Sequence, residues 1–397
     1  MQALVQQPAL PIPTVASRED AQPRTLFIDN VRWAMIVLVL GMHSAVTYSP
    51  VGSWYYTEHP RLGPAATLFF VTFQGVLQGF FMSLLFFIAG AFAVRSYDAK
   101  GAAAFMRGRL RRLGLPTLFY VLLLGPLTEY YVAHSWRTQE SFAHEMGLYV
   151  LRGRFLGGTG PMWFCAALLI FCAAYALVRS IAPGKTPAAA SGPVTGVGVL
   201  AAVVALTATT FPARLAFPIG TAVFNMQLCY FPAYAILFGL GLVAGRAAWL
   251  RTTPDEFCWK SGGLCVGLAM LAWLPLLALG GALEGRTAAY AGGATWQSVA
   301  LSLWEALICV GMSLLVLAAF RRWLSGQGRL TRFLSDNAFA VYVLHPPILV
   351  GLAVMMSDLP LPPMGKFVLL WTASLAACFG LVAPLARRIP GLGGILA

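Results

Sequence analysis

Two residues that could do chemistry open the first apolar stretch of the chain. Arg32 and His43 lie eleven residues apart in Asp29-Asn30-Val31-Arg32-Trp33-Ala34-Met35-Ile36-Val37-Leu38-Val39-Leu40-Gly41-Met42-His43. On an α-helix eleven steps are close to three full turns, so both side chains project from nearly the same face, about 16 Å apart along the axis. A neutral imidazole can accept a proton near neutral pH, which makes His43 a candidate general base; its bland alternative is a satisfied histidine in a helix contact. Arg32 can hold an anion or stabilise developing negative charge, or simply snorkel from a helix start. Asp29, three residues earlier, can pair with Arg32 or favour the positive helix N-terminus.

A second basic group follows at Arg107-Gly108-Arg109-Leu110-Arg111-Arg112. Several guanidinium groups beside a cavity make a phosphate site, because arginine forms bidentate bonds to phosphate oxygens. The competing reading is contact with anionic lipid, or a topology signal. Just before it, Phe86-Phe87-Ile88-Ala89-Gly90 combines bulky rings with small residues that allow either close helix approach or passage of a ligand. Three more polar residues, Glu129, Glu305 and His345, interrupt apolar stretches, where an ionisable group requires a partner or water. His345 precedes Pro346 and Pro347, whose missing N–H groups favour a kink or a re-entrant turn.

The elements that carry these groups belong to a membrane. The 397 residues are 59% hydrophobic and 10% charged, with a mean hydropathy of +0.74, far from a soluble composition. Runs of about 20 apolar residues predict an all-α polytopic protein with ten spans. They lie at about 31–48, 68–94, 113–132, 161–181, 194–211, 228–248, 261–282, 296–319, 334–356 and 366–386. With both termini on the cytoplasmic side, this alternation puts most of the 27 Lys and Arg inside, as the positive-inside rule requires, and leaves Arg214, Arg286 and Lys366 among the few outside. The net charge of +13 therefore reports orientation, and nucleic acid is excluded as the reason for it. Residues 1–24, rich in Pro, Gln and Ser, read as a disordered cytoplasmic tail ahead of a single transmembrane domain over 25–397. The seven cysteines show no metal or disulfide spacing, and no metal site is expected. The outer loop Ser49 to His59 carries Trp54, Tyr55 and Tyr56, suited to an interfacial aromatic belt.

Taken in order, these residues resemble the membrane-bound acyltransferase 3 family. The resemblance rests on Asp29-Asn30-Val31-Arg32, the spacing from Arg32 to His43, and Phe86-Phe87-Ile88-Ala89-Gly90. It continues through Arg109 and Arg112 before Leu113 and Pro116, Met162-Trp163-Phe164, and Tyr342-Val343-Leu344-His345-Pro346. It covers nearly the whole chain and is similar to the branch that modifies periplasmic glucans. Ala89 departs from the pattern, since the family more often has serine there, which removes any hydroxyl role at that position.

The resemblance implies transfer of an acyl group, acetyl or succinyl, from cytoplasmic acyl-CoA to a hydroxyl of a carbohydrate, glycolipid or small-molecule acceptor at a bacterial inner membrane. No tightly bound cofactor is implied; acyl-CoA is a co-substrate. It assigns catalysis to His43, Arg32 and Asp29, and donor binding to Arg109, Arg112, Phe86, Phe87 and Gly90. Trp163, Glu129, Glu305 and His345 become further cavity residues. His43 acts either as general base or through an acyl-histidine. Hydropathy alone equally fits a ten-span transporter with His43, Arg32 and Glu305 along its path, and a membrane scaffold held by its polar groups is the third alternative.

Overall fold

A computed structural model describes residues 26–58, 61–136, 141–182 and 192–396; the tail expected over 1–24 lies outside them. Among the described residues nine helical runs are long and apolar enough to cross a membrane. They are α1 (Leu26–Tyr48), α2 (Pro64–Val132), α3 (Trp163–Ile181), α4 (Gly196–Ala216), α5 (Phe231–Ala247), α6 (Asp255–Leu279), α7 (Trp296–Trp323), α8 (Arg329–Met355) and α9 (Pro363–Ala386). Among these residues the β pairing amounts to one isolated bridge, Val223 to Met226, so the fold is all-α, as the hydropathy predicts.

Nine runs carry the ten predicted spans because α2 holds two of them. Its 69 residues would reach about 100 Å if straight, three times the apolar thickness of a bilayer. Gly101 breaks the run with φ 73° and ψ 171°, a conformation that only glycine adopts without strain. Across that break the Tyr97 and Phe105 rings lie 5.6 Å apart, where a straight helix would separate them by about 12 Å. The chain therefore folds back at Gly101, and the spans predicted at 68–94 and 113–132 are its two limbs.

Ion pairs respect the resulting alternation. Asp98–Arg179 and Asp255–Arg321 join residues at the end that carries Arg32, while Glu129–Arg154 and Lys366–Glu58 join residues at the opposite end.

Small residues set the closest crossing. Gly90 on the first limb of α2 faces Phe238 on α5, and Gly241 and Gly245 of α5 face Phe87 and Ala91; a Cβ on any of the three glycines would run into the facing carbonyl oxygen. This is the small-xxx-small logic of membrane helices, where backbone approach replaces hydrophobic drive.

Helix α1 is the hub, packed by α2, α7, α8 and α9. Ile28, Val31, Met35 and Val39 recur at the three- and four-residue spacing of one helical face, and all are buried. Asn30 is also buried and ties the start of α1 to the turn between α7 and α8, donating to the carbonyls of Leu324 at 2.7 Å and Gly326 at 2.8 Å. Between Arg32 and His43, Trp371 of α9 fills the notch left by Gly41 and donates to the Val37 carbonyl at 3.0 Å. These contacts hold both candidate residues on one rigid rod.

Candidate active site

At the basic end, Arg32 pairs with Asp29 at 2.9 Å and lies over the Phe92 ring, 4.8 Å from its centroid. The Arg32 side chain keeps 41% of its surface accessible although α2, α7, α8 and α9 surround its helix, so this guanidinium fronts open space. Arg109 and Arg112 are near enough for their charges to act on it. Arg109 caps the Phe105 ring at 5.0 Å, and Arg112 lies in the π-helical turn Leu110–Gly114 and is exposed. Among the described residues neither forms an ion pair with a carboxylate, in contrast to Arg179 and Arg321, which do. Three cations with one acid between them make a place for an anion.

About 16 Å along the unbroken α1, His43 meets two other rings. Trp54 stacks on it with centroids 3.7 Å apart and planes within 17°. His345 of α8 lies 5.4 Å away, its plane within 18°. The loop that follows α1 brings Trp54 there. Ser49 donates to the Val51 carbonyl at 2.7 Å, Gly52 turns the backbone with φ 91°, and the Glu58 amide returns to the Thr47 carbonyl at 3.0 Å. Tyr55 continues the cover, bonded to Tyr120 at 3.0 Å; burial pushes its phenol up to about 12, so it stays neutral and keeps this hydrogen bond at physiological pH.

His345 is fully buried, with Nδ1 2.7 Å from the carbonyl oxygen of Tyr342. A carbonyl only accepts, so Nδ1 carries the hydrogen and Nε2 presents a lone pair. Among the described residues that nitrogen has no partner, and neither does Trp54 Nε1. His43 itself makes no side-chain hydrogen bond there, so the site presents unengaged nitrogen atoms around one imidazole. Such a place can move a proton at its deep end and hold an anion at its shallow end.

The remaining sequence candidates are dispersed. Trp163 stacks on Tyr234 at 5.5 Å, and its segment is joined to the histidine site because Tyr342 donates its hydroxyl proton to the Pro161 carbonyl. Phe86 is fully buried among Phe164, Phe171 and Tyr234, and Gly90 occupies the α2–α5 crossing, so packing accounts for both; Phe87 is half-buried beside that crossing. Glu129 pairs with Arg154 at the far end of α2. Glu305 pairs with Arg214, the partner its depth requires. Arg214 is inside α4 and 0% exposed rather than on a loop, and the need of Glu305 for a partner is the signal that points to it. Trp54, read from sequence as an interfacial aromatic, instead covers His43; the turn formers Ser49 and Gly52 before it are the local signal. Helix α8 continues through Pro346 and Pro347 without re-entering. All seven cysteines are buried and unpaired.

Residues 25–386, nearly the whole chain, match the acyltransferase 3 family model, described as an acyltransferase domain. No curated protein and no solved structure gives a significant match.

Proposed function

The chain belongs to the acyltransferase 3 family, and from that premise we propose that this membrane acyltransferase moves an acetyl or succinyl group from acyl-CoA to a hydroxyl. The acceptor is a carbohydrate, glycolipid or small molecule of the bacterial envelope, and the protein sits in the inner membrane with its Arg32 end in the cytoplasm. The observation that carries the reading is the division of α1: an accessible arginine at one end with two further arginines nearby that form no ion pair among the described residues, and an imidazole among unengaged nitrogens about 16 Å deeper.

Acyl-CoA matches that division. Its phosphates are anionic and its thioester lies at the end of a long flexible arm. Arg109, Arg112 and Arg32 hold the phosphates through charge-assisted hydrogen bonds, and Asp29 orients the Arg32 guanidinium at 2.9 Å. The arm follows the Arg32–His43 face inward. The acceptor comes from the opposite end, under the loop that carries Trp54 and Tyr55. Its hydroxyl oxygen attacks the thioester carbonyl while His43 removes the hydroxyl proton; the C–O bond forms, the C–S bond breaks, and the proton passes from His43 to the leaving sulfur.

The test is transfer of label from radioactive acetyl-CoA and succinyl-CoA in membranes of the expressing bacterium, native protein against His43→Ala. Covalent label in a glycan or lipid fraction, lost in the variant at equal folded amount, supports the reading. Unimpaired transfer in His43→Ala contradicts the base assignment.

A further inference from the structure

The sequence His345-Pro346-Pro347 creates a backbone defect with a chemical consequence. In a helix the Tyr342 carbonyl accepts from the amide of residue 346, and Pro346 has none. A buried carbonyl without a donor is costly, and the His345 ring supplies the donor through Nδ1–H at 2.7 Å. The defect therefore fixes one tautomer, which leaves a buried, unpartnered lone pair on Nε2. Tyr342 is itself held at the other end by its bond to the Pro161 carbonyl.

Where the His345 ring lies follows from the separations of the three rings. The centroid separations of 3.7 Å (Trp54–His43), 5.4 Å (His43–His345) and 6.3 Å (Trp54–His345) make a nearly right-angled triangle with its corner at His43. Trp54 covers the face of His43, so His345 stands beside its edge, the part of the ring that carries its two nitrogens along with carbons. At this spacing facing nitrogens of two edge-on imidazoles come to about 3 Å, the range of a hydrogen bond. The bond is not made in this structure, and catalytic hydrogen bonds commonly tighten only with substrate bound.

We propose that His345 is a positioning residue for His43, its Nε2 accepting the N–H of the His43 nitrogen that does not face the substrate. This rests on the reading of His43 as general base. As the acceptor oxygen attacks, its proton goes to one nitrogen of His43, while the other N–H of the resulting imidazolium donates to His345. The proton then leaves from His43 to the CoA sulfur, and His345 ends as it began, neutral. The role is the one an acid fills in many base-orienting pairs. Here Glu58, the acid of the covering loop, is already held by Lys366 at 2.9 Å.

Three variants of the full-length protein test this in bacterial membranes with radioactive acetyl-CoA, each with its unfolding midpoint measured. His345→Leu lowers kcat about 100-fold with KM for acetyl-CoA within about twofold, since only the proton step is touched. His345→Gln, which keeps an acceptor at the end of a side chain of similar reach, recovers at least about tenfold of that loss. Pro346→Ala restores the backbone donor to Tyr342 and competes with the His345 ring; kcat falls about threefold or more while the unfolding midpoint holds or rises, the opposite of what a merely structural proline predicts. The proposal is overturned if His345→Leu keeps its kcat, or if the glutamine variant is no better than the leucine one, while His43→Ala still abolishes turnover. Turnover surviving in His43→Ala removes the underlying base assignment and this inference with it.

Discussion

Two polar clusters lie inside the apolar bundle, and the protein treats them in opposite ways. Between α4 and α7, Arg214 is fully buried but meets the Glu305 carboxylate, donates to Ser302 Oγ at 3.0 Å and lies over the Tyr230 ring, with only its Nε unpartnered. Ser302 in turn donates to the Ser298 carbonyl at 2.8 Å, and the Ser298 hydroxyl is left without a partner among the described residues. Around α1, His43, His345 and Trp54 form no hydrogen bond with one another, and two of their buried nitrogens have no partner among the described residues. An unmet buried donor or acceptor costs about 1–3 kcal/mol, so each calls for a physical reason. A buried charge that meets its own counter-ion reads as architecture, and an imidazole with no hydrogen bond of its own, beside two orphaned nitrogens, reads as a site.

The largest effect expected from this contrast is kinetic. His43→Ala should lower acyl transfer by about 100- to 10,000-fold, the usual worth of a general base, while losing the Trp54 stack costs only about 1 kcal/mol of stability. The second cluster should respond in stability instead. Arg214→Leu leaves the Glu305 charge buried and unpaired and should cost about 3–5 kcal/mol in detergent unfolding. The double change Arg214→Met with Glu305→Leu should recover most of that, since apolar pairs of similar volume replace buried ion pairs well. A double variant no more stable than the single one would dissolve the contrast.

Packing and surface charge give smaller effects. Gly241→Ala forces a Cβ against the Phe87 carbonyl and should cost about 1–3 kcal/mol of stability, seen as a lower unfolding midpoint. Arg109→Gln should raise KM for acetyl-CoA several-fold, about 1 kcal/mol, with kcat unchanged and the difference shrinking as salt is added. A salt-independent KM would place the donor phosphates elsewhere.

Much of this architecture was legible in the chain. Ten apolar stretches and the alternation of charge specify the crossings, and the spacing from Arg32 to His43 specifies their shared face, because both depend on local periodicity. The helices begin earlier than the apolar windows, since Asp29, Asp255 and Arg329 occupy first turns that hydropathy scores as loop. The neighbours of His43 were less accessible. His345 is 302 residues from His43, and no local pattern states that α8 packs on α1 at that depth. Trp54 looks like any interfacial tryptophan until the Ser49 and Gly52 turn folds it inward. Arg214, near the end of an apolar run, looks like a loop charge, and only the demand of Glu305 for a partner points to it.

The most direct test of the account puts both clusters in one assay. Label transfer from acetyl-CoA is measured per folded molecule for His43→Ala and for Arg214→Met with Glu305→Leu, using membranes of the same expressing strain. The first variant is expected to lose transfer per folded molecule, whereas the second transfers at close to the native rate. Transfer retained without His43 and lost without the Arg214–Glu305 pair would move the chemistry to the other cluster and contradict the central claim.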